Sequence, residues 1–154
     1  MKLVIGITGA SGVIYAYNLL KFLRDQPNME VYLIISKPAE LVIKHELEMC
    51  KEDVQKFATH SYEINNFLSP LASGSQQFDA MVIIPCSMAS LAAIAQGYTA
   101  NLLLRVADIC IKEKRTLILV PRELPLSVIH LENMLKLARL GVHIVPAMPG
   151  FYHK

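Results

Sequence analysis

The chain has 154 residues, of which 53% are hydrophobic and 18% are charged, and its formal net charge is +2. This length supports one domain with its own core, and the lack of a basic run argues against a nucleic acid as partner. The apolar content is high for a small monomer, so we expect a homo-oligomer. The sequence has neither a signal-peptide pattern nor an apolar stretch long enough to span a membrane, which predicts a cytoplasmic protein without membrane contact.

Strands and helices are predicted to alternate along the whole chain. Apolar, β-branched runs predict five strands, at residues 3–8, 30–35, 80–84, 116–120 and 142–145. Helical spacing of apolar residues predicts helices at 14–23, 39–47, 88–95, 102–114 and 127–140, a short helix at 51–58 and a loop at 65–75. This alternation is typical of the α/β class, here a Rossmann-like three-layer sandwich with a mostly parallel sheet and helices on both faces.

Ligands of such sheets bind beyond the carboxyl ends of the strands. This rule selects the segments that directly follow the predicted strands, namely residues 9–12, 36–38, 85–90, 121–125 and 146–152. We therefore expect the functional residues to lie in these five segments.

The first segment reads Gly9-Ala10-Ser11-Gly12, directly after a strand and before a helix. Small residues let the backbone approach an anion, and a helix start offers free N–H groups. The segment matches neither the dinucleotide-binding glycine pattern nor the P-loop, so a single phosphate is favoured over a phosphate chain. The alternative interpretation is a tight turn with Ser11 as the helix N-cap.

The third segment repeats this arrangement with Ser87, Met88 and Ser90. The two serine hydroxyls could bind a phosphate or a ring edge, or could cap the following helix. Cys86 is expected to be buried, and no histidine or cation near it in sequence would make it a nucleophile. With Cys50 and Cys110 it shows neither zinc-ligand spacing nor a disulfide framework, so no metal site is predicted.

Four charged or aromatic residues are further candidates. Arg105 is the one cation on an apolar helix face, so it needs a ligand phosphate or a neighbouring subunit as partner, unless it lies on the surface. Arg122 and Glu123 follow a predicted buried strand and could bind a phosphate and carry a proton, or could form a structural ion pair. Tyr152 could reach the same place, or could pack on the surface near the chain end.

Taken together, these segments resemble the flavin prenyltransferase family, which belongs to the flavoproteins related to cysteine decarboxylases. The matching stretches are GITGASG at 6–12, PCSM at 85–88, LAAIA at 91–95, NLL at 101–103 with Arg105, Ala107 and Asp108, KEKR at 112–115, VPRE at 120–123, HLENM at 130–134 and PGFYH at 149–153. They keep the family's order and cover nearly the whole chain.

The resemblance implies an activity. The family transfers a dimethylallyl group from dimethylallyl monophosphate to reduced flavin mononucleotide (FMN), without a metal, and closes a fourth ring on the flavin. The prenylated FMN then serves a UbiD-type decarboxylase of ubiquinone biosynthesis or aromatic-acid breakdown. The family assembles as a dodecamer, which agrees with the apolar composition.

The resemblance also implies roles for individual residues. The flavin contacts that it implies are Gly9, Ala10, Ser11, Ser36, Ser87, Met88, Ser90, Arg105 and Arg122. The leaving phosphate would be held by Lys112, Arg122 and Tyr152, with Lys112 supplied by the same or a neighbouring subunit. Glu123 would handle the proton of ring closure.

The sequence departs from the family at two places. Family members often carry a Trp after the Gly-Ser pair that here is Gly74-Ser75, whereas this chain has Gln76 and no Trp at all. The family also continues with a further helix beyond the stretch that ends here at Lys154. We therefore expect residues 1–154 to form a single FMN-binding domain whose donor site is incomplete.

Two alternative functions remain open. One is an FMN-dependent cysteine-type decarboxylase, which would need a histidine just before the third predicted strand of the core. Residues 69–78 contain none. The other is a non-catalytic subunit that binds and stores FMN, for which a second phosphate site would be unnecessary.

Overall fold

The computed structural model describes residues 1–148 and residue 150. The strands are β1 (Lys2–Ile7), β2 (Glu30–Ile35), β3 (His60–Glu63), β4 (Ala80–Cys86), β5 (Thr116–Pro121) and β6 (His143–Ile144). The helices are α1 (Val13–Arg24), α2 (Lys37–Leu47), α3 (Lys51–Gln55), α4 (Met88–Ala95), α5 (Leu102–Lys112) and α6 (Val128–Arg139), and a 3₁₀ turn covers Pro70–Ala72.

The six strands form one parallel sheet in the order β3-β2-β1-β4-β5-β6. The central neighbours β1 and β4 pair from Leu3 with Ala80 to Gly6 with Ile83. Strands are added on one side of β1 and then on the other, so the order reverses between β1 and β4. This doubly wound arrangement confirms the predicted α/β class and places the topological switch point at the carboxyl ends of these two strands.

Two apolar cores lie on the two faces of the sheet. On one face, α1, α2 and α3 cover alternate residues of β1 and β2, including Ile5 and Leu33, which are fully buried. On the other face, α4, α5 and α6 cover residues such as Val4 and Met81. Because successive strand residues point to opposite faces, continuous apolar runs are what such a sheet requires.

The sheet has six strands, one more than the sequence predicts, and the additional strand is β3. Its sequence His-Ser-Tyr-Glu is polar, three of its four residues are exposed, and it pairs with β2 alone. An exposed edge strand lacks the apolar run by which the other strands were recognised. Most other element boundaries agree with the predicted ones within one or two residues. Helix α3 ends at Gln55, three residues earlier than predicted. Helix α5 ends at Lys112, shortly before Lys114 adopts a left-handed φ of 55°.

No helix within the described residues is long and apolar enough to cross a bilayer. All three cysteines are free thiols.

Candidate functional site

Three loops meet at the switch point. Residues 9–12 follow β1, Ser36 follows β2 and Ser87 follows β4. The backbone N–H of Ser36 donates to the carbonyl oxygen of Ile7 at 3.0 Å, and the Ser87 N–H donates to the Thr8 hydroxyl at 2.7 Å. The structure therefore brings the predicted residues of the first three segments together at one sheet edge.

Gly9 lies where the loop after β1 touches the first turn of α2. A Cβ atom built at Gly9 would lie 2.4 Å from Cβ of Pro38, a distance at which one backbone must move. Gly12 has a φ of 102°, a left-handed value that glycine adopts without strain. The two glycines thus permit a close approach and a sharp turn at the start of α1.

We expect Gly9→Ala to lower the free energy of unfolding by about 1–3 kcal/mol, because the added methyl group overpacks the contact with Pro38. Urea unfolding of the purified variant measures this change. The double variant with Pro38→Gly, which removes the contacted Cβ, is the matched control. If the losses of unfolding free energy in the two single variants simply add in the double variant, the contact between Gly9 and Pro38 is not the cause.

The start of α1 is occupied by a carboxylate from α2. Oε2 of Glu46 accepts hydrogen bonds from the N–H groups of Gly12 at 2.9 Å and Val13 at 3.1 Å. Gly12 is the N-cap residue and makes no side-chain cap, so the interpretation of Ser11 as N-cap is wrong. The predicted anion-binding helix start exists, but the protein's own carboxylate binds there. No sequence pattern predicts this contact, since Glu46 and Gly12 are 34 residues apart.

Partial burial raises the pKa of Glu46, but hydrogen bonds from the Ser11 side chain and from the two backbone N–H groups outweigh this effect. The charge of Arg122 acts in the same direction, and the pKa falls below its ordinary value of 4.5. Glu46 is therefore an anion at neutral pH, placed at the positive end of the helix dipole.

Because the folded-state pKa of Glu46 is lowered, its contribution to stability is full at neutral pH and is lost as the pH falls through that lowered pKa. We expect Glu46→Gln to lower the melting temperature by about 1–3 °C at neutral pH. The difference in melting temperature between the variant and the native chain should disappear in strong acid. Melting curves across the acid range check this, with Glu48→Gln, which lies outside these hydrogen bonds, as control. A difference in melting temperature that stays constant with pH would contradict this role of the Glu46 carboxylate.

The start of α4 is a second helix N-terminus at the same edge, and no carboxylate of the described residues binds there. Oγ of Ser87 accepts from the Ser90 N–H at 3.3 Å and donates to Oγ of Ser90 at 3.1 Å, so Ser87 is the N-cap. Within residues 1–148, no acceptor is recorded for the N–H groups of Met88 and Ala89. Two free N–H groups, two hydroxyls and a helix dipole form a suitable site for a phosphate.

Arg122 and Glu123 follow β5 at the same edge and do not pair with each other. Nε of Arg122 donates to the carbonyl oxygen of Ser11 at 3.2 Å, and Oε1 of Glu123 accepts from the Leu124 N–H at 3.1 Å. No salt bridge in the described part of the chain involves either side chain. Both side chains are exposed, so the guanidinium and the carboxylate are available to a ligand.

A cavity of about 180 Å³ opens beside this pair between the ends of β5 and β6. Its lining is mostly apolar and consists of Pro121, Arg122, Glu123, Leu124, Leu126, Pro146, Ala147 and Met148. A larger cleft of about 500 Å³ includes Lys114 and Arg139, but it lies at the amino ends of β5 and β6. Parallel sheets bind ligands at the carboxyl ends, so the smaller cavity belongs to the candidate site.

Arg105 and Lys112 lie on α5, and no hydrogen bond or salt bridge within the described residues joins either of them to Arg122 or Glu123. Arg105 is half-buried; it donates to the carbonyl oxygen of Ala72 at 3.2 Å and pairs with Asp108 at 3.0 Å. Lys112 is exposed and pairs with Glu113. Lys112 ends α5 four residues before β5 begins, whereas Arg122 follows the other end of β5, about 20 Å away at the usual rise per strand residue. Tyr152 lies outside the described residues.

The buried cysteines carry no chemistry at this site. Burial raises the pKa of Cys86, and likewise that of Cys110, to about 12, which keeps both thiols protonated. The described residues contain no cluster of three or more His, Cys, Asp or Glu side chains that could hold a metal ion.

Fold and site together define a Rossmann-like α/β protein whose carboxyl-edge loops suit a phosphorylated ligand. The chain matches the flavoprotein family over residues 1–151. It is 56% identical over 154 residues to the flavin prenyltransferase UbiX of Methanocaldococcus jannaschii. This alignment covers all of this chain and 83% of that relative. The chain therefore belongs to the flavoprotein family, among its UbiX-like flavin prenyltransferases.

Two solved structures support this assignment. A dodecameric FMN-dependent UbiX-like decarboxylase from Escherichia coli O157:H7 superposes with a TM-score of 0.97 at 48% identity, over 99% of this chain and 82% of that one. AnUbiX (PadA1), solved in complex with FMN and dimethylallyl pyrophosphate, superposes with a TM-score of 0.95 at 43% identity, over 98% of this chain and 80% of the other.

Proposed function

We propose that this protein is a flavin prenyltransferase that transfers a dimethylallyl group from a phosphorylated donor to reduced FMN. The observation that carries the proposal is the combination of groups at one sheet edge. The start of α4 suits the flavin phosphate, and beside an apolar cavity lie Arg122 and Glu123, neither of which forms a salt bridge within the described residues. A protein that only stored FMN would not need this second set of groups.

Residues of the first three loops are suited to hold FMN. The start of α4, with Ser87, Met88 and Ser90, offers the hydrogen-bond donors for the phosphate. The small residues 9–11 and Ser36 surround the switch point, where such sheets bind flat ligands. The bound FMN supplies the nucleophilic ring that accepts the dimethylallyl group.

The cavity beside β5 is suited to the donor. Its leucine, proline and methionine side chains match a branched five-carbon chain, and Arg122 at its rim would stabilise the negative charge that grows on the departing phosphate. We propose that Glu123 accepts the proton that the flavin loses when the new bonds form. We propose dimethylallyl monophosphate as donor; the AnUbiX structure contains the pyrophosphate, so both compounds belong in the assay.

We further propose a homo-oligomer in which each site is completed by a neighbour. Arg105 and Lys112 are implied site residues of the family, and both lie on α5, where Lys112 precedes the amino end of β5 and Arg122 follows its carboxyl end. Lys112 can act together with Arg122 if α5 of one subunit faces the sheet edge of the next. The dodecamer of the E. coli structure supports such an assembly.

The outer face of α6 offers an apolar surface for this assembly. Val128, Leu131 and Leu135 are spaced to lie on one side of the helix, and more than half of each side chain is exposed. Such a stripe on a surface helix marks an interface.

We expect Leu131→Asp to reduce the mass of the assembly, because a charge in an apolar interface must be desolvated. Light scattering coupled to size exclusion measures the mass. Leu41→Asp on α2, a similarly exposed leucine, is the matched control and should leave the assembly intact. A Leu131→Asp chain that keeps the native mass would exclude α6 from the interface.

The remaining parts of the proposal concern the domain organisation, the partner enzyme and the location in the cell. We propose that residues 1–154 are a single FMN-binding domain and that the prenylated FMN passes to a UbiD-type decarboxylase of ubiquinone biosynthesis or aromatic-acid breakdown. A cytoplasmic location is favoured by three cysteines that remain free thiols, as is usual in a reducing compartment.

Activation of a partner enzyme tests this function. The protein is incubated anaerobically with reduced FMN and each donor, and the protein-free filtrate is added to a UbiD-type decarboxylase produced in cells that lack a flavin prenyltransferase. We expect the filtrate to restore decarboxylation. A filtrate that leaves the decarboxylase inactive, when filtrate from a known flavin prenyltransferase activates it, would contradict the proposal.

A further inference from the structure

Thr8 is a buried polar residue between two loops of the site. It directly follows β1, and its exposed fraction is 1%, although both neighbouring loops reach the surface. A buried hydroxyl is costly unless it is hydrogen-bonded, so its partners indicate what it does.

The Thr8 hydroxyl joins β1 to the end of β4. Its Oγ1 donates to the carbonyl oxygen of Pro85 at 2.7 Å and accepts from the Ser87 N–H at 2.7 Å. The backbone N–H of Thr8 also donates to the Pro85 oxygen, at 3.2 Å, while its carbonyl oxygen accepts from the Ala10 N–H at 2.9 Å. One residue therefore contacts both the loop after β1 and the loop after β4.

The hydroxyl replaces a bond that the backbone cannot make. The ladder between β1 and β4 runs as far as Gly6 and Ile83, and Pro85 has no N–H group with which to continue it. Ser87 is the first residue beyond Pro85 and Cys86, and its N–H finds an acceptor in the Thr8 hydroxyl. The position of Ser87 is thus fixed by a residue 79 positions earlier in the chain.

Ser87 in turn caps α4 through its bond from the Ser90 N–H, and the free N–H groups of Met88 and Ala89 follow directly. We propose that Thr8 is a positioning residue that sets the phosphate-binding start of α4 for FMN. This inference rests on the proposed function, since it assigns the start of α4 to the flavin phosphate.

Replacing Thr8 by valine separates the hydroxyl from the packing. Valine keeps the branched shape, but it leaves the Ser87 N–H without its acceptor and removes one of the two hydrogen bonds to Pro85. Serine keeps the hydroxyl and loses only a methyl group. Thr59→Val is the matched control, because the Thr59 hydroxyl also accepts a backbone N–H bond, from Val31 at 3.0 Å, next to the edge strand β3.

The test is the dissociation constant of FMN, measured by quenching of flavin fluorescence, for the full chain and these variants. We expect Thr8→Val to bind FMN about 10-fold or more weakly, and Thr8→Ser and Thr59→Val to stay within about threefold of the native chain. At saturating FMN, the KM for the donor should be unchanged in Thr8→Val, since the donor site lies beside β5. A purely structural role would lower the melting temperature without this selective loss of flavin affinity.

The outcomes separate the two proposals. A native chain that does not bind FMN would refute the proposed function, whereas a native chain and a Thr8→Val variant with equal FMN affinity would refute this inference alone. If Thr8→Val does not fold, Thr8→Cys takes its place, because a thiol is a weaker donor and acceptor of similar size. It should bind FMN less tightly than Thr8→Ser, and equal affinity of these two variants would overturn the inference.

Discussion

Replacing Glu123 by glutamine is expected to lower the rate of prenylated-flavin formation by about 100-fold or more, the usual loss when a proton-transferring group is removed. Glutamine keeps the size of the side chain and can still accept the Leu124 N–H bond, so the loop should keep its shape. The dissociation constant of FMN should be unchanged, because Glu123 lies after β5, on the donor side of the site.

Rapid-quench kinetics with mass detection of the flavin measures this rate, and a fluorescence titration measures FMN binding. Glu48→Gln, which changes an exposed carboxylate directly after α2, controls for the loss of one charge. Formation of product at the native rate in Glu123→Gln would remove this residue from the chemistry, and a parallel loss of FMN binding would indicate a role in flavin binding instead.

The second large effect is expected from mixing two inactive chains. Lys112→Ala and Arg122→Ala should each lower activity by about 100-fold or more, because each removes a cation from the departing phosphate. When the two variants are co-expressed, a site built from Lys112 of one chain and Arg122 of another can contain both native residues. Random assembly makes about a quarter of such sites intact, so hybrids should regain about a quarter of native activity.

The distance between the two side chains is the reason for this expectation. Lys112 lies beyond the amino end of β5, and Arg122 follows its carboxyl end. Were both residues to act in the site of their own chain, every site of a hybrid would lack one of them, and no activity would return. Hybrids purified by two different tags give the measurement, and an unassembled mixture of the two variants is the control.

The sequence allowed the fold to be predicted because the signal of a doubly wound sheet is local. Runs such as Leu-Ile-Leu-Val in β5 are apolar and rich in β-branched residues, and all but the last are followed by Pro, Gly or Ser and then by helical spacing. The rule that parallel sheets bind ligands at their carboxyl ends then selected residues 9–12, Ser36 and Ser87 for the site. The edge strand β3 was missed since nothing in a polar four-residue segment distinguishes it from a loop.

The contacts that shape the site could not be predicted in the same way, because they join residues far apart in sequence. Glu46 reaches the start of α1 from the far end of α2, and the Thr8 hydroxyl reaches Ser87 from the neighbouring strand. Neither residue stands out in its own segment. Arg105 and Lys112 were instead proposed for the site from the resemblance to the family. In the structure they pair with Asp108 and Glu113 on or next to α5, so their role in the site stays a prediction.

The central claim, that this protein prenylates reduced FMN, is tested most directly by the mass of the flavin after one anaerobic incubation with the protein and dimethylallyl monophosphate or pyrophosphate. We predict that the flavin gains the mass of one prenyl unit with at least one donor, in proportion to the protein present. Flavin that binds to the protein but keeps its original mass with both donors would contradict the transferase and leave only a role in binding FMN.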